Sequence, residues 1–424
     1  MDDLRDRFSR LDRVAAPDLW NEAVTRAAEL GFVRRRPFSR TFVLVAAALL
    51  LAALAGAIAI GAWLTRPAPD PFNRNVENGL IVGQSECQLV AVDPESGETR
   101  ELVPSPPDCS AGEHPQVRAA WSADGRHLAY TVTRSCGACF EETPQEVLDA
   151  AGPWVYDATT GAARHLEPCP ERHCDDIAIS YDGSLVAYTA FTHDPATGSR
   201  FALIVNDIRD GGSTRRVELP AQGGRPEFSP DGSRIVLAVG DGVLSGLYAV
   251  TLAGALVATV LFDNPGLVEG NPTWAPDGAW IAFDGYGTDG GIWVVRADGT
   301  EPRLLVPTTD IEDVREPDWS PDGTTIAFIG SPISGAGASA WRLDLFTVVV
   351  DGGEPSLVYA EECCTGDWSA PTWSPDGEYI AVVGGPTGFT SSVALVRADG
   401  TEMRLVTDFP IEPVWQPLPI PPED

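Results

Sequence analysis

Trp373-Ser374-Pro375-Asp376-Gly377, followed by Glu378-Tyr379-Ile380-Ala381-Val382, decides the fold because it recurs. Trp319-Ser320-Pro321-Asp322-Gly323 precedes Ile326-Ala327-Phe328, and Trp274-Ala275-Pro276-Asp277-Gly278 precedes Ile281-Ala282-Phe283. Phe228-Ser229-Pro230-Asp231-Gly232 precedes Ile235-Val236-Leu237. Weaker copies are Ile179-Ser180-Tyr181-Asp182-Gly183 and Trp121-Ser122-Ala123-Asp124-Gly125. Recurrence at a regular pitch is the signature of a repeat architecture. Ser-Pro-Asp-Gly suits a type I turn, with Ser first, Pro setting φ at the second position and Gly fourth. Each copy therefore reads as a β-hairpin, with a small residue at the centre of its second strand. A second hairpin follows, as in Ile292-Trp293-Val294-Val295, Ala297-Asp298-Gly299 and Arg303-Leu304-Leu305-Val306. Four short strands per repeat make one propeller blade.

These repeats resemble the Trp-Ser-Pro-Asp-Gly, WD40-like repeats of TolB-type β-propellers, over roughly residues 76–420. The resemblance implies a propeller fold and protein binding in the bacterial periplasm or at the cell surface. It names no ligand, because one fold hosts unrelated functions.

Residues 80–103 match the second, third and fourth strands of a blade whose first strand is missing. Ile411-Glu412-Pro413-Val414-Trp415-Gln416-Pro417 supplies a first strand and then stops. The expected fold is all-β: seven blades of about 49 residues, closed by the C-terminal strand. Six blades is the alternative.

Ahead of the propeller, Thr41 to Leu64 is an uncharged run of 24 residues, long enough to cross a bilayer. It is too long, and begins too far from the N-terminus, for a cleaved signal peptide. Arg34, Arg35, Arg36 and Arg40 precede it and only Arg66 closely follows, which places the N-terminus inside. The expected organisation is a helical cytoplasmic segment over 1–40, a transmembrane helix over 41–64, a Pro-rich spacer over 65–76 and the propeller over 77–420. In the first segment a helix is predicted from Asp18 through Trp20 to Leu30. The bilayer is the partner of residues 41–64, and a cytoplasmic protein is an open partner for residues 1–40.

The formal net charge is −32, and all 29 basic residues are arginine. So anionic a chain lacks the basic footprint that nucleic-acid binding needs. No Gly-x-Ser-x-Gly elbow, P-loop or His-Glu-x-x-His motif occurs. The five histidines are scattered, and no convergent set of His, Tyr and acids is identifiable from the repeats. The chain is therefore not expected to be an enzyme, and no catalytic, cofactor or metal residue is assigned. A lyase or hydrolase working in the axial funnel is the weakest of the functional readings. Asp124, Asp182, Asp231, Asp277, Asp322 and Asp376 each belong to their own turn. They are read as structural, since calcium needs six to eight oxygens at one point.

All eight cysteines, Cys87, Cys109, Cys136, Cys139, Cys169, Cys174, Cys363 and Cys364, follow the apolar run. An even number on one side of a membrane fits disulfides in an oxidising compartment. Zinc at Cys136, Cys139, Cys169, His173 and Cys174 is the competing reading. All eight are placed on the face of the second-to-third loops and blade connections. The expected bridges are Cys87–Cys109, Cys136–Cys139, Cys169–Cys174 and Cys363–Cys364, with cross-pairing of Cys136/Cys139 and Cys169/Cys174 as the alternative. The short turns share the opposite face. Long loops on a rigid scaffold carry binding, so Phe140, Glu141, Glu142, Trp341 and Trp368 are the candidate ligand surface. Two functions follow: a membrane-tethered extracytoplasmic binding module, or a transmembrane sensor, anti-sigma-like, whose residues 1–40 dock a cytoplasmic regulator.

Overall fold

A computed structural model describes residues 76–85, 88–103, 115–134, 152–166, 173–194, 198–209, 212–240, 245–309, 311–332, 343–360, 369–384, 392–407 and 413–419. Among them no helix is long and apolar enough to cross a membrane. The expected cytoplasmic segment, membrane span and spacer over 1–75 lie outside the described residues.

Seven four-stranded antiparallel sheets form the propeller. Blade 1 holds β1 (Val76–Ser85), β2 (Gln88–Val92) and β3 (Thr99–Val103). Blade 2 is β4 (Pro115–Trp121), β5 (His127–Arg134), β6 (Gly152–Asp157) and β7 (Ala162–His165). Blade 3 is β8 (His173–Ile179), β9 (Leu185–Asp194), β10 (Gly198–Asp207) and β11 (Thr214–Leu219). Blade 4 is β12 (Gln222–Phe228), β13 (Arg234–Gly240), β14 (Ser245–Thr251) and β15 (Val257–Phe262). Blade 5 is β16 (Leu267–Trp274), β17 (Trp280–Gly287), β18 (Gly291–Arg296) and β19 (Arg303–Pro307). Blade 6 is β20 (Ile311–Trp319), β21 (Thr325–Pro332), β22 (Asp344–Val349) and β23 (Ser356–Tyr359). Blade 7 is β24 (Ser369–Trp373), β25 (Tyr379–Gly384), β26 (Ser392–Arg397) and β27 (Met403–Leu405). The last strand, β28 (Val414–Pro419), returns to pair with β1, with Ile81 opposite Trp415 and Val76 opposite Pro419. Seven is the blade count, and the C-terminal strand completes blade 1.

The turn motif works through its side chains. In five copies the Ser hydroxyl donates to the Asp Oδ1 at 2.6–2.7 Å. The same Oδ1 accepts the N–H two residues on at 2.9–3.0 Å. Blade 5 has Ala275 instead of Ser, and Asp277 keeps only the backbone bond, from Ala279 at 2.8 Å. Each Asp is thus engaged inside its own turn.

The core lies between blades, one apolar cluster to each of the seven interfaces. In β17, Ile281 and Phe283 pack toward blade 4 while Ala282 packs toward blade 6. Both faces of a blade are buried, so its second strand is continuously apolar rather than alternating. At the seam, Trp415, Ile81 and Val92 of blade 1 pack on Ala381, Val393 and Leu395 of blade 7. On the blade 2 side, the apolar cluster of Val82, Leu89 and Leu128 is joined by a polar contact, Gln416 Nε2 donating to the Gly125 carbonyl at 2.8 Å.

The seam gives a paired test. Gly125 and Gly232 occupy the same motif position at φ +64° and +67°. A Cβ on Gly232 would meet nothing within 4 Å, whereas one on Gly125 would lie 1.9 Å from the Pro417 carbonyl oxygen. Gly232→Ala should cost about 1–2 kcal/mol for its left-handed backbone. Gly125→Ala should cost at least twice that in urea unfolding. Equal costs would place β28 wrongly.

Candidate functional site

One strand of every blade lines the axis. Residues of β4, β8, β12, β16, β20, β24 and, at Val414, β28 surround a central cavity of about 250 Å³. Four of these strands share an x-Pro-x-aromatic pattern that runs into the turn: Arg225-Pro226-Glu227-Phe228, Asn271-Pro272-Thr273-Trp274, Glu316-Pro317-Asp318-Trp319 and Ala370-Pro371-Thr372-Trp373. Pro has no N–H for a ladder, and it bars the preceding residue from the right-handed helical region. A sheet edge is where it is tolerated, and these are edge strands. Pairing register breaks at each, as between Gly224 and Glu227 or Gly270 and Thr273. The residue before each Pro takes positive φ: Arg225 50°, Asn271 41°, Glu316 56° and Ala370 48°. Non-glycine residues held so cost about 1–3 kcal/mol each and need support from their surroundings.

Acidic side chains supply much of that support across blade boundaries. Arg225 N–H donates to Asp176 Oδ2 of blade 3 at 2.8 Å. Glu316 N–H donates to Asp284 Oδ2 of blade 5 at 2.7 Å, and Asn271 Nδ2 donates to the same oxygen at 2.7 Å. Ala370 N–H donates to Glu316 Oε2 at 2.6 Å. One layer nearer the turns, Trp274 N–H donates to Glu227 Oε2 at 3.2 Å and Trp373 N–H to Asp318 Oδ2 at 2.8 Å. The indoles add a further latch. Trp274, Trp319 and Trp415 Nε1 donate to the carbonyls of Glu227, Thr273 and Thr372 in the preceding blades at 3.2–3.3 Å. The Trp121 and Trp373 indoles of the same repeat position make no such bond among the described residues.

The electrostatics are layered. Arg118 pairs with Asp176 at 3.3 Å in the layer nearer the blade connections. Glu227 and Asp318 sit in the layer nearer the turns. Burial, then the neighbouring Asp318 charge, pushes the Glu227 carboxyl up to about 8. Burial alone raises Asp318 to about 7. Burial raises Asp284 to about 6, with the Glu316 charge adding to it, against hydrogen bonds from Asn271 and Glu316. Tyr181 takes the place of Pro in the blade 3 turn. Burial raises its phenol, and the charges of Glu227 and Asp318 raise it further.

The site anticipated from loop residues is not the one described here. Phe140, Glu141, Glu142, Trp341 and Trp368 lie outside the described residues, as do Cys87, Cys109, Cys136, Cys139, Cys169, Cys363 and Cys364. Cys174 corrects one placement: it lies within β8, opposite Ala190 and 2% exposed, rather than in a blade connection. The strand begins at His173 because the register of β8 with β9 extends back past the bulge at Cys174/Ile177. A second correction concerns convergence. The blades do bring acids together at the axis, Asp176, Glu227, Glu316 and Asp318, although these residues are far apart in sequence. The turn aspartates stay apart, and among the described residues no three His, Cys, Asp or Glu side chains are grouped to hold a metal.

Residues 177–332 match the family model described as TolB beta propeller domain. No curated protein matches the chain. An oligogalacturonate lyase from Vibrio parahaemolyticus is similar in structure, with 13% identity over 74% of this chain and 90% of that one, at a TM-score of 0.54. A puromycin-hydrolyzing peptidase from Mycobacterium tuberculosis is similar at 13% identity and a TM-score of 0.54, over 81% of this chain and 55% of that one. TolB from Acinetobacter baumannii aligns at 14% identity and a TM-score of 0.44, over 80% of this chain and 66% of that one. The chain therefore spans about half of the peptidase and just under two thirds of that TolB. At such identities the likeness to the lyase and peptidase shows the fold: a β-propeller, whose blades 3 to 6 carry the TolB-type match.

The raised carboxyls set a pH test. Unfolded, Glu and Asp titrate near 4. A folded pKa above that value contributes stability fully present below about pH 4 and lost as pH rises through 7 to 8. The Glu227→Gln/Asp318→Asn double variant should gain melting temperature over the parent as pH rises from 5 to 9. A difference constant with pH would mean that neither group is held neutral.

Proposed function

We propose that the chain is a single-pass membrane protein presenting its propeller outside the cytoplasm as a binding module, with the axial cavity as its ligand site. The observation that carries the ligand site is convergence: all seven blades contribute to one cavity lined by Arg118, Asp176, Arg225, Glu227, Glu316 and Asp318. Chain direction orients it. Blade connections lead into the innermost strands, so the cavity's Arg118–Arg225–Glu316 layer faces the long loops and its Glu227–Asp318 layer faces the short turns. A ligand enters from the loop face.

The membrane reading is supported by the uncharged run over 41–64 and by the arginines before it. An oxidising location is supported by Cys174, which is disulfide-bonded. The sensor reading adds one thing, a cytoplasmic partner for residues 1–40, and is favoured by the Trp20-containing helical pattern there. A fluorescent protein that matures only in the cytoplasm, fused after Asp424, should stay dark in cells. Bright signal would overturn the topology and, with it, the oxidising location. Residues 1–40 used as bait should recover a specific cytoplasmic partner if the chain is a sensor, and none if it is a binding module alone.

A further inference from the structure

We propose that the floor of the axial cavity binds an organic cation, a primary ammonium or guanidinium carried by a small molecule or a side chain. This rests on the axial cavity being the ligand site, and adds the chemistry of what enters it.

The charges lining the cavity are unequally committed. Arg118 pairs with Asp176, and Asp176 also holds the Arg225 N–H. Glu316 is used by the Ala370 N–H. Glu227 and Asp318 have no ion-pair partner among the described residues, and take only neutral donors: the Trp274 N–H and Thr273 hydroxyl for Glu227, the Trp373 and Trp319 N–H groups for Asp318. Glu227 and Asp318 are half-buried at the cavity wall, and carboxylates withdrawn from water without a cation favour keeping a proton or gaining a counter-charge. Thr273 and Thr372 lie in the same layer. Acid and hydroxyl oxygens together offer acceptors to a group rich in N–H donors, which is what ammonium and guanidinium are.

Size and sign narrow the class. A volume of about 250 Å³ falls below the roughly 300–1,000 Å³ of pockets that enclose drug-sized ligands. It suits a side-chain-sized head group. An anion would meet four carboxyls, Asp176, Glu227, Glu316 and Asp318, against two guanidiniums, of which Arg118 is already paired. A bare divalent ion would find too few converging acids.

Binding a cation replaces protons, so it should release them. The charged and titratable groups that face Glu227 and Asp318 are Arg118, Asp176, Arg225, Glu316 and Tyr181, with Asp284 behind Asn271 and Glu316.

The test is calorimetry on the full-length chain in detergent at pH 7.5, in two buffers of different ionisation enthalpy. Agmatine is the probe; glutarate, glucose and calcium chloride are run beside it. Agmatine should bind with proton release, read as a heat that differs between the buffers. Glu227→Gln and Asp318→Asn should each weaken it at least tenfold. Agmatine binding without proton release, or at unchanged affinity in both variants, would overturn the proposal, and the first of these needs no variant to fold. Binding of only glutarate, glucose or calcium would overturn the cation while leaving the cavity as the ligand site. Binding of no probe would overturn both.

Discussion

Pairing of the last strand with the first is the constraint on which the rest depends. Without β28, blade 1 has three strands and an open innermost edge facing the axis. Blade 7 then loses Trp415 from its apolar interface and the indole bond to Thr372. Blade 2 loses the Gln416 bond to Gly125. The cavity loses two of its lining residues, Pro413 and Val414. A ring of similar wedges has no cheap way to tolerate one gap, because each wedge is buried on both faces by its neighbours.

Within the ring, the same groups hold the blades together and furnish the cavity. In four innermost strands the residue before Pro is held at positive φ. Acids of the adjoining blade then hold several of those strained backbones in place. Asp284 shows the arrangement most plainly: fully buried, it fixes both Asn271 and the Glu316 backbone through one oxygen. Burying such carboxyls raises their pKa, so proton binding, blade packing and the character of the cavity are coupled. Perturbed acids in a cleft are what a binding site produces, and structural latches perturb acids too. Glu227 and Asp318 are latches of this kind at the wall of the cavity.

The blades and their closure were legible in the sequence because their signals are local. Ser-Pro-Asp-Gly states a turn within four residues, and the orphan strand ending in Pro413-Val414-Trp415 matches the incomplete first blade directly. The axial site was not legible in the same way. Arg118, Asp176, Arg225, Asn271, Glu316 and Ala370 occupy equivalent positions in successive blades yet share no chemistry. Their meeting depends on knowing that the first strand of each blade faces the axis. A signal was present: the Pro two residues before the aromatic in Arg225-Pro226-Glu227-Phe228 and its three fellows. Pro inside a repeated strand marks an edge, and the edge of a blade is the wall of the channel. Cys174 was displaced for a similar reason, since a bulge let β8 begin earlier than the repeat implied.

The central claim is that ring closure and the axial site are one structural fact. It is tested most directly by removing residues 411–424 and then adding them back as a free peptide, while melting temperature and agmatine binding are followed together. The account predicts that the truncated chain melts far lower and binds no agmatine, and that the peptide restores both. An unchanged melting temperature after truncation, or a peptide that restores stability without binding, would contradict it.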